Sequence, residues 1–280
     1  MKDNFLRDFI IRSLDEDLGS GDHSSLACIP PDSKGKAKLI IKEKGILAGI
    51  RITGELFSIV DKHLRFNVFM EDGSPVAPGD IAFVVTGSSQ SILKAERLVL
   101  NIMQRMSGIA TSTGEYVKKL HGLKTKILDT RKTAPGMRLL EKEAVRIGGG
   151  HNHRMGLYDM IMLKDNHIDY SGGIEQAISR TNNYLKTHNL DLKIEIEARS
   201  LEDVNKIIAS GGVDRIMLDN FSVEDTHLAV KVIDGKFETE SSGGITLLTI
   251  RSYAECGVDF ISVGALTHQI KSLDMSLKAF

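Results

Sequence analysis

Charged residues and glycines follow the apolar segments in the second half of the chain. Six such segments occur, and the groups that end them are Asp129-Thr130-Arg131-Lys132, Lys164-Asp165-Asn166-His167, Glu197, Asp219-Asn220, Ser241-Ser242-Gly243-Gly244 and Gly264. Arginine and lysine bind carboxylates and phosphates, whereas carboxylates bind Mg²⁺ or sugar hydroxyls. Because the same kind of ending recurs after each segment, the pattern predicts one site that is assembled from several strand ends.

Basic residues are concentrated around these ends, although the chain as a whole is almost neutral. The set comprises Arg97, Arg131, Lys132, Arg138, Arg146, His153, Arg154 and Lys164. Most lysines and arginines are solvated surface residues, and that interpretation suits Lys118, Lys119 and Lys206. It suits Arg131 and Lys132 poorly, because they interrupt an otherwise buried strand end. We therefore expect these cations to bind one or two substrates with several negative charges.

Two glycine-containing segments have the composition of phosphate-binding turns. Ser241–Ile245 and Ile261–Thr267 each place small residues directly after a strand, and the first leads straight into a predicted helix. Glycine lets backbone N–H groups approach a phosphate closely, and a helix N-terminus adds positive potential. Ordinary strand-to-helix turns also contain glycine. Two such turns after the last two strands of a barrel nevertheless favour phosphate binding.

Three carboxylates form the third candidate group, after the basic residues and the glycine-containing segments. In the segment KIEIEA, strand alternation puts Glu195 and Glu197 on one face, with Glu197 nearer the carboxyl end, and Asp219 ends the next strand. Such carboxylates could hold Mg²⁺ directly or through water, bind ribose hydroxyls, or act as general acid and base. For Glu195, a buried ion pair with a neighbouring lysine or arginine is an equally good interpretation.

Two further features allow other chemistry. The spacing His151-x-His153 could hold a metal ion, but the sequence offers no further Cys or His partner at a recognisable spacing. Lys164, inside a barrel, could form a Schiff base with a sugar phosphate.

The elements that position these residues differ between the two halves of the chain. Residues 1 to about 105 combine an opening amphipathic helix with short alternating strands and turn sequences, which predicts an antiparallel α+β module. From about residue 124, strands alternate with helices. The strands are expected at Lys126–Leu128, Asp159–Leu163, Lys193–Ile196, Arg215–Leu218, Phe237–Glu240 and Asp259–Val263, and the helices at Gly173–Lys186, Leu201–Ala209, Glu224–Val232 and Leu247–Glu255. This order predicts a parallel sheet, and the polar strand ends favour a barrel over an open doubly wound sheet.

Composition sets the general class of protein. The 280 residues carry a net charge of −1, with 41% hydrophobic and 26% charged residues, which is typical of a soluble globular chain. We therefore expect neither a nucleic acid nor a membrane as a partner. Cys28 and Cys256 lie far apart, so neither a disulfide framework nor a structural zinc site is expected. The acidic N-terminus lacks the features of a signal peptide, which predicts a cytoplasmic location.

Several segments, taken in order, resemble the quinolinate phosphoribosyltransferase family. They are Glu96–Thr111, Asp129–Leu157, Leu163–His167, Ile194–Ala198, Ile216–Phe221, Ser241–Ile245 and Ile261–His268, and EDLGSGDHSS near the N-terminus also looks like the family's opening. The resemblance implies a type II phosphoribosyltransferase-like α/β fold. Its parts would be an N-terminal α+β open sandwich domain at 1–107 and a C-terminal six- or seven-stranded α/β barrel at 108–267, with the tail 268–280 packing back on the first domain. It also implies a homodimer with shared active sites.

The resemblance also implies a role for each matching residue. Arg97 would reach into the neighbouring subunit's site. Quinolinate and phosphate groups would be bound by Thr130, Arg131, Lys132, His153, Arg154 and Lys164, the ribose and Mg²⁺ by Glu197 and Asp219, and the 5-phosphate by Ser242, Gly243, Gly244, Val263, Gly264 and Ala265. The candidate catalytic residues are Lys132, Lys164, Glu197 and Asp219. An extra glycine, Gly211-Gly212, shifts the spacing between Glu197 and Asp219 by one, which leaves Glu195 as an alternative ribose contact.

The implied reaction transfers a phosphoribosyl group from phosphoribosyl pyrophosphate to quinolinate with loss of CO₂, as a step of NAD biosynthesis, with Mg²⁺ as cofactor. Three alternatives stay open. One is a related phosphoribosyltransferase that acts on another base, and another is a Schiff-base sugar-phosphate aldolase that uses Lys164. The third is a protein that binds such a metabolite without turning it over.

Overall fold

The strands fall into an antiparallel sheet, a parallel sheet and one isolated pair. The computed structural model describes residues 2–280, so Met1, the first residue of the predicted N-terminal domain, lies outside the described residues. The strands are β1 (Lys34–Ile41), β2 (Gly45–Ile46), β3 (Arg65–Val68), β4 (Pro75–Val76), β5 (Ile81–Ser88), β6 (Lys126–Leu128), β7 (Ile161–Leu163), β8 (Ile194–Ala198), β9 (Arg215–Asp219), β10 (Glu238–Ser242), β11 (Phe260–Ser262) and β12 (Met275–Ala279). The helices are α1 (Lys2–Leu18), α2 (His23–Cys28), α3 (Ile50–Val60), α4 (Ser89–Lys119), α5 (Arg138–Ile147), α6 (Asp165–Ser171), α7 (Ile174–His188), α8 (Leu201–Ser210), α9 (Val223–Ile233), α10 (Ile250–Glu255) and α11 (Ala265–His268).

The chain divides into two units. Unit 1 comprises the residues up to Gly114 together with Thr133–Gly149 and Leu266–Phe280, and unit 2 comprises Glu115–Lys132 and Gly150–Ala265. The predicted boundary between residues 107 and 108 lies inside α4, which is one continuous helix of 31 residues. Within residues 2–280, no helix is both long and apolar enough to cross a membrane.

Unit 1 is built on the antiparallel sheet, whose strand order is β12-β1-β5-β3. Alternate residues of β1 (Ala37, Leu39 and Ile41) are buried, as expected for a strand with one face on a core. Three phenylalanines pack edge to face or tilted in that core, with ring centroids 4.9–5.9 Å apart: Phe57, Phe66 and Phe83. The antiparallel α+β module predicted for this half of the chain is therefore present.

Unit 2 is built on the six-stranded parallel sheet, whose order is β6-β11-β10-β9-β8-β7. All six strands expected from the sequence are present. The helices that follow β8 and β9 begin where serine caps their first turns, because the side chains of Ser200 and Ser222 accept hydrogen bonds from the backbone N–H groups of Asp203 and Asp225. These βα units confirm the α/β prediction.

The parallel sheet is strongly rolled. Strands β6 and β8 are four positions apart, which in a flat sheet would separate them by about 19 Å. Yet the backbone N–H of His153 donates to Asp129, directly after β6, while the ring of His153 reaches Glu195 on β8. The sheet therefore curves back on itself as a barrel does. A parallel bridge between His151 and Leu128 extends it by one residue beyond β6, as a seventh, minimal strand.

Two elements differ from the sequence-based expectation. The first is α5, for which the sequence analysis predicted no helix; it groups with unit 1 because its buried Glu141 pairs with Arg105 of α4, 2.6 Å away. The second is the helix after β10, which was expected to follow Ser241–Ile245 directly and instead begins at Ile250. The intervening residues form a turn in which the Thr246 backbone N–H donates to the hydroxyl of Thr249.

The phenylalanine core of unit 1 provides a test of the fold. We expect Phe83→Ala to lower the free energy of unfolding by about 3–5 kcal/mol, since the removed ring is fully buried between Phe57 and Phe66 and leaves a cavity. Phe69→Ala is the matched control, because that ring is 63% exposed, and its effect should stay within about 0.5 kcal/mol. Urea unfolding followed by circular dichroism measures both. Equal losses in the two variants would contradict the assigned core.

Candidate active site

The polar residues that end the six strands of unit 2 share one edge of the sheet. All six strands are parallel, so their carboxyl ends lie side by side. In spatial order this edge carries Thr130-Arg131-Lys132, Val263-Gly264-Ala265, Ser242-Gly243-Gly244, Asp219, Glu197 and Lys164. His153 and Arg154 also belong to unit 2, whereas Arg97 is exposed on α4 in unit 1. The structure thus brings together every predicted site residue of unit 2.

Lys164 and Glu197 form an ion pair at the ends of β7 and β8. The Lys164 ammonium donates to Glu197 Oε1, and the backbone N–H of Asp165 donates to Oε2 at 3.2 Å. The Lys164 side chain is 44% exposed and that of Glu197 only 8%. The backbone N–H of Lys164 donates to the His167 ring at 3.0 Å, which caps α6 and fixes the position of the lysine. The pair therefore presents a cation to solvent above a held carboxylate.

The ends of β9 and β10 are linked through Asn220. Its backbone N–H donates to the Ser242 carbonyl at 2.8 Å, and its side-chain amide donates to Asp219 at 3.0 Å. Gly243 has φ +97°, and a Cβ there would lie 2.2 Å from the Asn220 side-chain oxygen. Only glycine fits this position, because the positive φ and the close approach each exclude a side chain. The turn after β10 thus leaves backbone accessible where a phosphate could bind.

Three further cations lie near the start and end of this edge. Arg131 and Lys132 are exposed directly after β6, and the Lys132 backbone N–H donates to the Thr130 hydroxyl. The Arg154 guanidinium donates to the Met160 carbonyl at 3.1 Å and is partly buried. Burial, together with the charge of Arg131, lowers the pKa of Arg154. The charges of Arg131 and Arg154 thus act on each other, and an anion bound between two such cations would be stabilised by both.

His153 lies in a buried cluster with two glutamates and an arginine. Its Nε2 lies 2.9 Å from Glu195 Oε2 and 3.3 Å from Glu240 Oε2. The Arg215 guanidinium lies 3.0 Å from Glu240 and 3.9 Å from Glu195, and it stacks on the ring of Phe260. Glu195 is fully buried, so the ion-pair interpretation holds for it, and of the two glutamates on β8 only Glu197 reaches the edge of the sheet.

Burial and neighbouring charges shift the pKa values in this cluster. Burial raises the pKa of Glu195 to about 7, and the charge of Glu240 adds to the effect. Burial also acts to raise the pKa of Glu240, but the pairing with His153 outweighs it and holds that pKa below its usual value. Burial acts to lower the pKa of His153, and the two carboxylates outweigh it and raise the pKa. As the pH falls, Glu195 therefore gains a proton before Glu240 does.

The types of side chain present allow two candidate positions for a metal ion. His153, Glu195 and Glu240 could supply three ligand atoms, but Arg215 already provides the positive charge between the carboxylates. At the edge, both oxygens of Glu197 accept hydrogen bonds, whereas Asp219 is partly exposed and accepts only from Asn220 among the contacts described above. Asp219 therefore fits a Mg²⁺ ligand, and Glu197 fits one that acts through water.

The sequence analysis missed several residues that support the site. Arg215 and Glu240 were not singled out. On β10, Glu238 and Glu240 are two residues apart, as Glu195 and Glu197 are on β8, and this spacing puts each pair on one face of its strand. The spacing could have identified Glu240, whereas Arg215 is a single charge at the start of β9. Asp129 was treated only as a polar strand end, but it is fully buried and accepts from the side chain of Asn152 at 2.5 Å and from the backbone of His153 at 2.8 Å.

Comparison with known proteins covers nearly the whole chain. Residues 22–107 match the sequence profile of the Quinolinate phosphoribosyl transferase N-terminal domain, and residues 109–278 match that of the C-terminal domain. A chloroplastic carboxylating nicotinate-nucleotide pyrophosphorylase of Arabidopsis thaliana is 46% identical over 288 residues, which cover 98% of this chain and 82% of that protein. A probable enzyme of the same name from Bacillus subtilis is 42% identical, with 94% and 89% covered.

Solved structures agree with these matches. The crystal structure of NadC from Streptococcus pyogenes has a TM-score of 0.92 at 40% identity and covers 98% of this chain and 95% of that one. The nicotinate-nucleotide pyrophosphorylase of Francisella tularensis has a TM-score of 0.90 at 39% identity, with 99% and 96% covered. The chain therefore belongs to the quinolinate phosphoribosyltransferase family.

Proposed function

We infer that the protein transfers the phosphoribosyl group of phosphoribosyl pyrophosphate to quinolinate with loss of CO₂, giving nicotinate mononucleotide and pyrophosphate. One observation carries this inference: the polar carboxyl edge of the parallel sheet occurs in a chain 46% identical to a carboxylating nicotinate-nucleotide pyrophosphorylase. The family and the reaction predicted from the sequence are thereby confirmed, and this reaction is a step of NAD biosynthesis.

The charges at the edge match those of the two substrates. Quinolinate carries two carboxylates, and phosphoribosyl pyrophosphate carries a phosphate and a pyrophosphate. Arg131 and Arg154 are suited to bind the carboxylates, because a guanidinium pairs with a carboxylate through two parallel hydrogen bonds. Lys132 and Lys164 supply compact charges for the pyrophosphate. The turns Ser242–Gly244 and Val263–Ala265 would bind the 5-phosphate through backbone N–H groups.

The transfer step needs orientation and fixed charges more than proton transfer. The pyridine nitrogen of quinolinate bonds to C1 of the ribose as the bond from C1 to the pyrophosphate oxygen breaks, and the electron pair leaves with pyrophosphate. Glu197 and Asp219 would stabilise the positive charge that develops on the ribose, and Lys132 and Lys164 the negative charge on pyrophosphate. Such preoriented groups act most strongly where water is excluded.

The second step follows from the charge that the first creates. The new pyridinium nitrogen withdraws electrons from the adjacent carbon, so the bond to the neighbouring carboxylate breaks and CO₂ leaves. The electron pair stays on the ring carbon, which then takes up a proton. A site that excludes water favours this step, because decarboxylation disperses charge.

Mg²⁺ would neutralise the pyrophosphate, with Asp219 as a direct ligand and Glu197 acting through water. A homodimer with shared sites is part of the same proposal. Arg97, exposed on α4, would supply a further cation to the site of the partner subunit.

The alternative as a Schiff-base aldolase fits the geometry poorly. A Schiff base forms from a neutral amine, whereas the Lys164 ammonium pairs with Glu197 and its side chain is 44% exposed. A phosphoribosyltransferase acting on another base would keep the phosphate turns and lose the guanidinium pair. Arg131 and Arg154 are both present here, which favours the dicarboxylate.

The direct test is turnover of the purified protein. With quinolinate, phosphoribosyl pyrophosphate and Mg²⁺, we expect nicotinate mononucleotide and CO₂ in equal amounts, measured by chromatography and by release of labelled CO₂. Nicotinate in place of quinolinate is the control and should give no nucleotide. Product with nicotinate and none with quinolinate would indicate a phosphoribosyltransferase that acts on a different base.

The turn after β10 gives a second prediction. We expect Gly243→Ala to raise the KM for phosphoribosyl pyrophosphate by about tenfold or more, because the new Cβ would displace Asn220 and the phosphate-binding backbone. Gly235→Ala is the matched control, since Gly235 also has a positive φ of +69° and has open space around it. It should cost stability without changing KM. Equal KM values in all three proteins would contradict the phosphate site.

Shared active sites give a third prediction. We expect Arg97→Ala and Lys132→Ala each to be nearly inactive alone, because each removes a cation from every site of its homodimer. After mixing and verified subunit exchange, hybrid dimers would have one intact site, so activity should partly return. The assay is turnover before and after exchange, with each variant incubated alone as control. Exchange without any return of activity would count against shared sites.

A further inference from the structure

The interior of the parallel sheet contains charged side chains that take no part in the proposed reaction. On β8, β9 and β10, the residues paired by register include Glu195 with Arg215 and Arg215 with Glu238, and Glu240 follows Glu238 on the same face. Glu195 and Glu240 are fully buried, and Arg215 is 8% exposed. Buried ions of this kind destabilise a fold unless they are paired. Their burial therefore raises the question of which group the two carboxylates contact.

What they hold is the ring of His153, which is fixed at both nitrogens. Nε2 faces Glu195 and Glu240 at 2.9 and 3.3 Å, while Nδ1 accepts a hydrogen bond from the backbone N–H of Arg154 at 2.7 Å. Because Nδ1 is occupied by this hydrogen bond, Nε2 is the nitrogen that faces the two carboxylates, within ion-pair distance of both. Both ring nitrogens face protein groups, and the side chain is only 4% exposed.

The neighbour of His153 is Arg154, a candidate substrate-binding residue that is held at both its main chain and its side chain. The main chain of Arg154 is held by the His153 ring, and its guanidinium by the Met160 carbonyl at 3.1 Å. The main chain of His153 is held in turn by Asp129 at 2.8 Å. A displacement of the His153 ring would thus move the backbone that carries the Arg154 guanidinium.

We propose that Glu195 and Glu240 are positioning residues, which hold the His153 ring and, through it, set the Arg154 guanidinium for a carboxylate of the substrate. This proposal rests on the proposed function for the identity of that substrate, quinolinate. Arg215 balances the charge of the two carboxylates from the opposite side and makes no described contact with His153. The substrate-binding role that the family resemblance implied for His153 stays a prediction.

The test compares a Glu195 variant that loses the acceptor oxygens with a variant that keeps one. Glu195→Leu keeps a similar volume and removes the acceptor, so the KM for quinolinate should rise by about tenfold or more while the KM for phosphoribosyl pyrophosphate stays within about twofold. Glu195→Gln keeps an acceptor oxygen, so the KM for quinolinate should stay within about threefold of the original protein. The matched control is Glu238→Leu. Glu238 lies on the same face and contacts Arg215 but not His153, so both KM values should stay unchanged.

A measurement without turnover separates this proposal from the proposed function. Nitrogen NMR of histidine-labelled protein, with His153 assigned from a His153→Asn spectrum, should resolve the two ring nitrogens of His153. Their resonances should shift in Glu195→Leu and stay unchanged in Glu238→Leu. If the original protein does not turn over quinolinate but these spectra are as described, the proposed function fails and the positioning contact stands.

Three results would overturn the positioning role. One is an equal rise of both KM values in Glu195→Leu, which would indicate general damage to the site. Another is a rise in the KM for quinolinate in Glu195→Gln as large as that in Glu195→Leu. The third is a set of His153 resonances that Glu195→Leu leaves unchanged, since the ring would then not depend on that carboxylate.

Discussion

The interior of the parallel sheet contains paired charges where an α/β barrel ordinarily contains branched aliphatic side chains. Glu195, Arg215 and Glu240 meet there with His153, and the outward residues between them, such as Ile196 and Leu218, are fully buried against the helices. Pairing is a strict condition for such a core, because removing one partner leaves an uncompensated buried charge that costs about 3–5 kcal/mol. The strand register that places Glu195 opposite Arg215 is thus the constraint on which the arrangement of unit 2 depends.

The same constraint connects the core to the chemistry at the edge. Along β8, Glu195 points into the cluster, and two residues later Glu197 pairs with Lys164 at the carboxyl end. One strand therefore carries a buried glutamate of the core and a glutamate of the candidate active site, which differ in their depth in the sheet. The carboxylate of Glu197 lies where it can contact a substrate, whereas that of Glu195, two residues deeper, is surrounded by protein groups.

The sequence predicted where the strands of unit 2 lie along the chain, because most of them have a short apolar run that ends in polar residues. It also offered a buried ion pair as one of two interpretations of Glu195, yet it could not name Arg215 as the partner. That choice depends on the register between two strands that are about twenty residues apart, and no local pattern encodes it. The grouping of α5 with unit 1 was missed for a related reason. The helix is placed by the pairing of Glu141 with Arg105, which are 36 positions apart in sequence. The proposed role of Arg97 in the site of a partner subunit depends on a second chain, which the single sequence does not describe.

The path of the chain through α5 limits how the protein can be divided. Between Lys132 and Gly150 the chain leaves unit 2, contributes α5 to unit 1 and then returns. A fragment cut at the apparent domain boundary would carry this helix without Arg105. Its Leu140, Ala144 and Val145, now fully buried, would then face water, and Glu141 would lose its counter-charge. The catalytic unit is therefore discontinuous in sequence, and a soluble minimal version of it would need a short linker in place of residues 133–149 rather than a simple truncation.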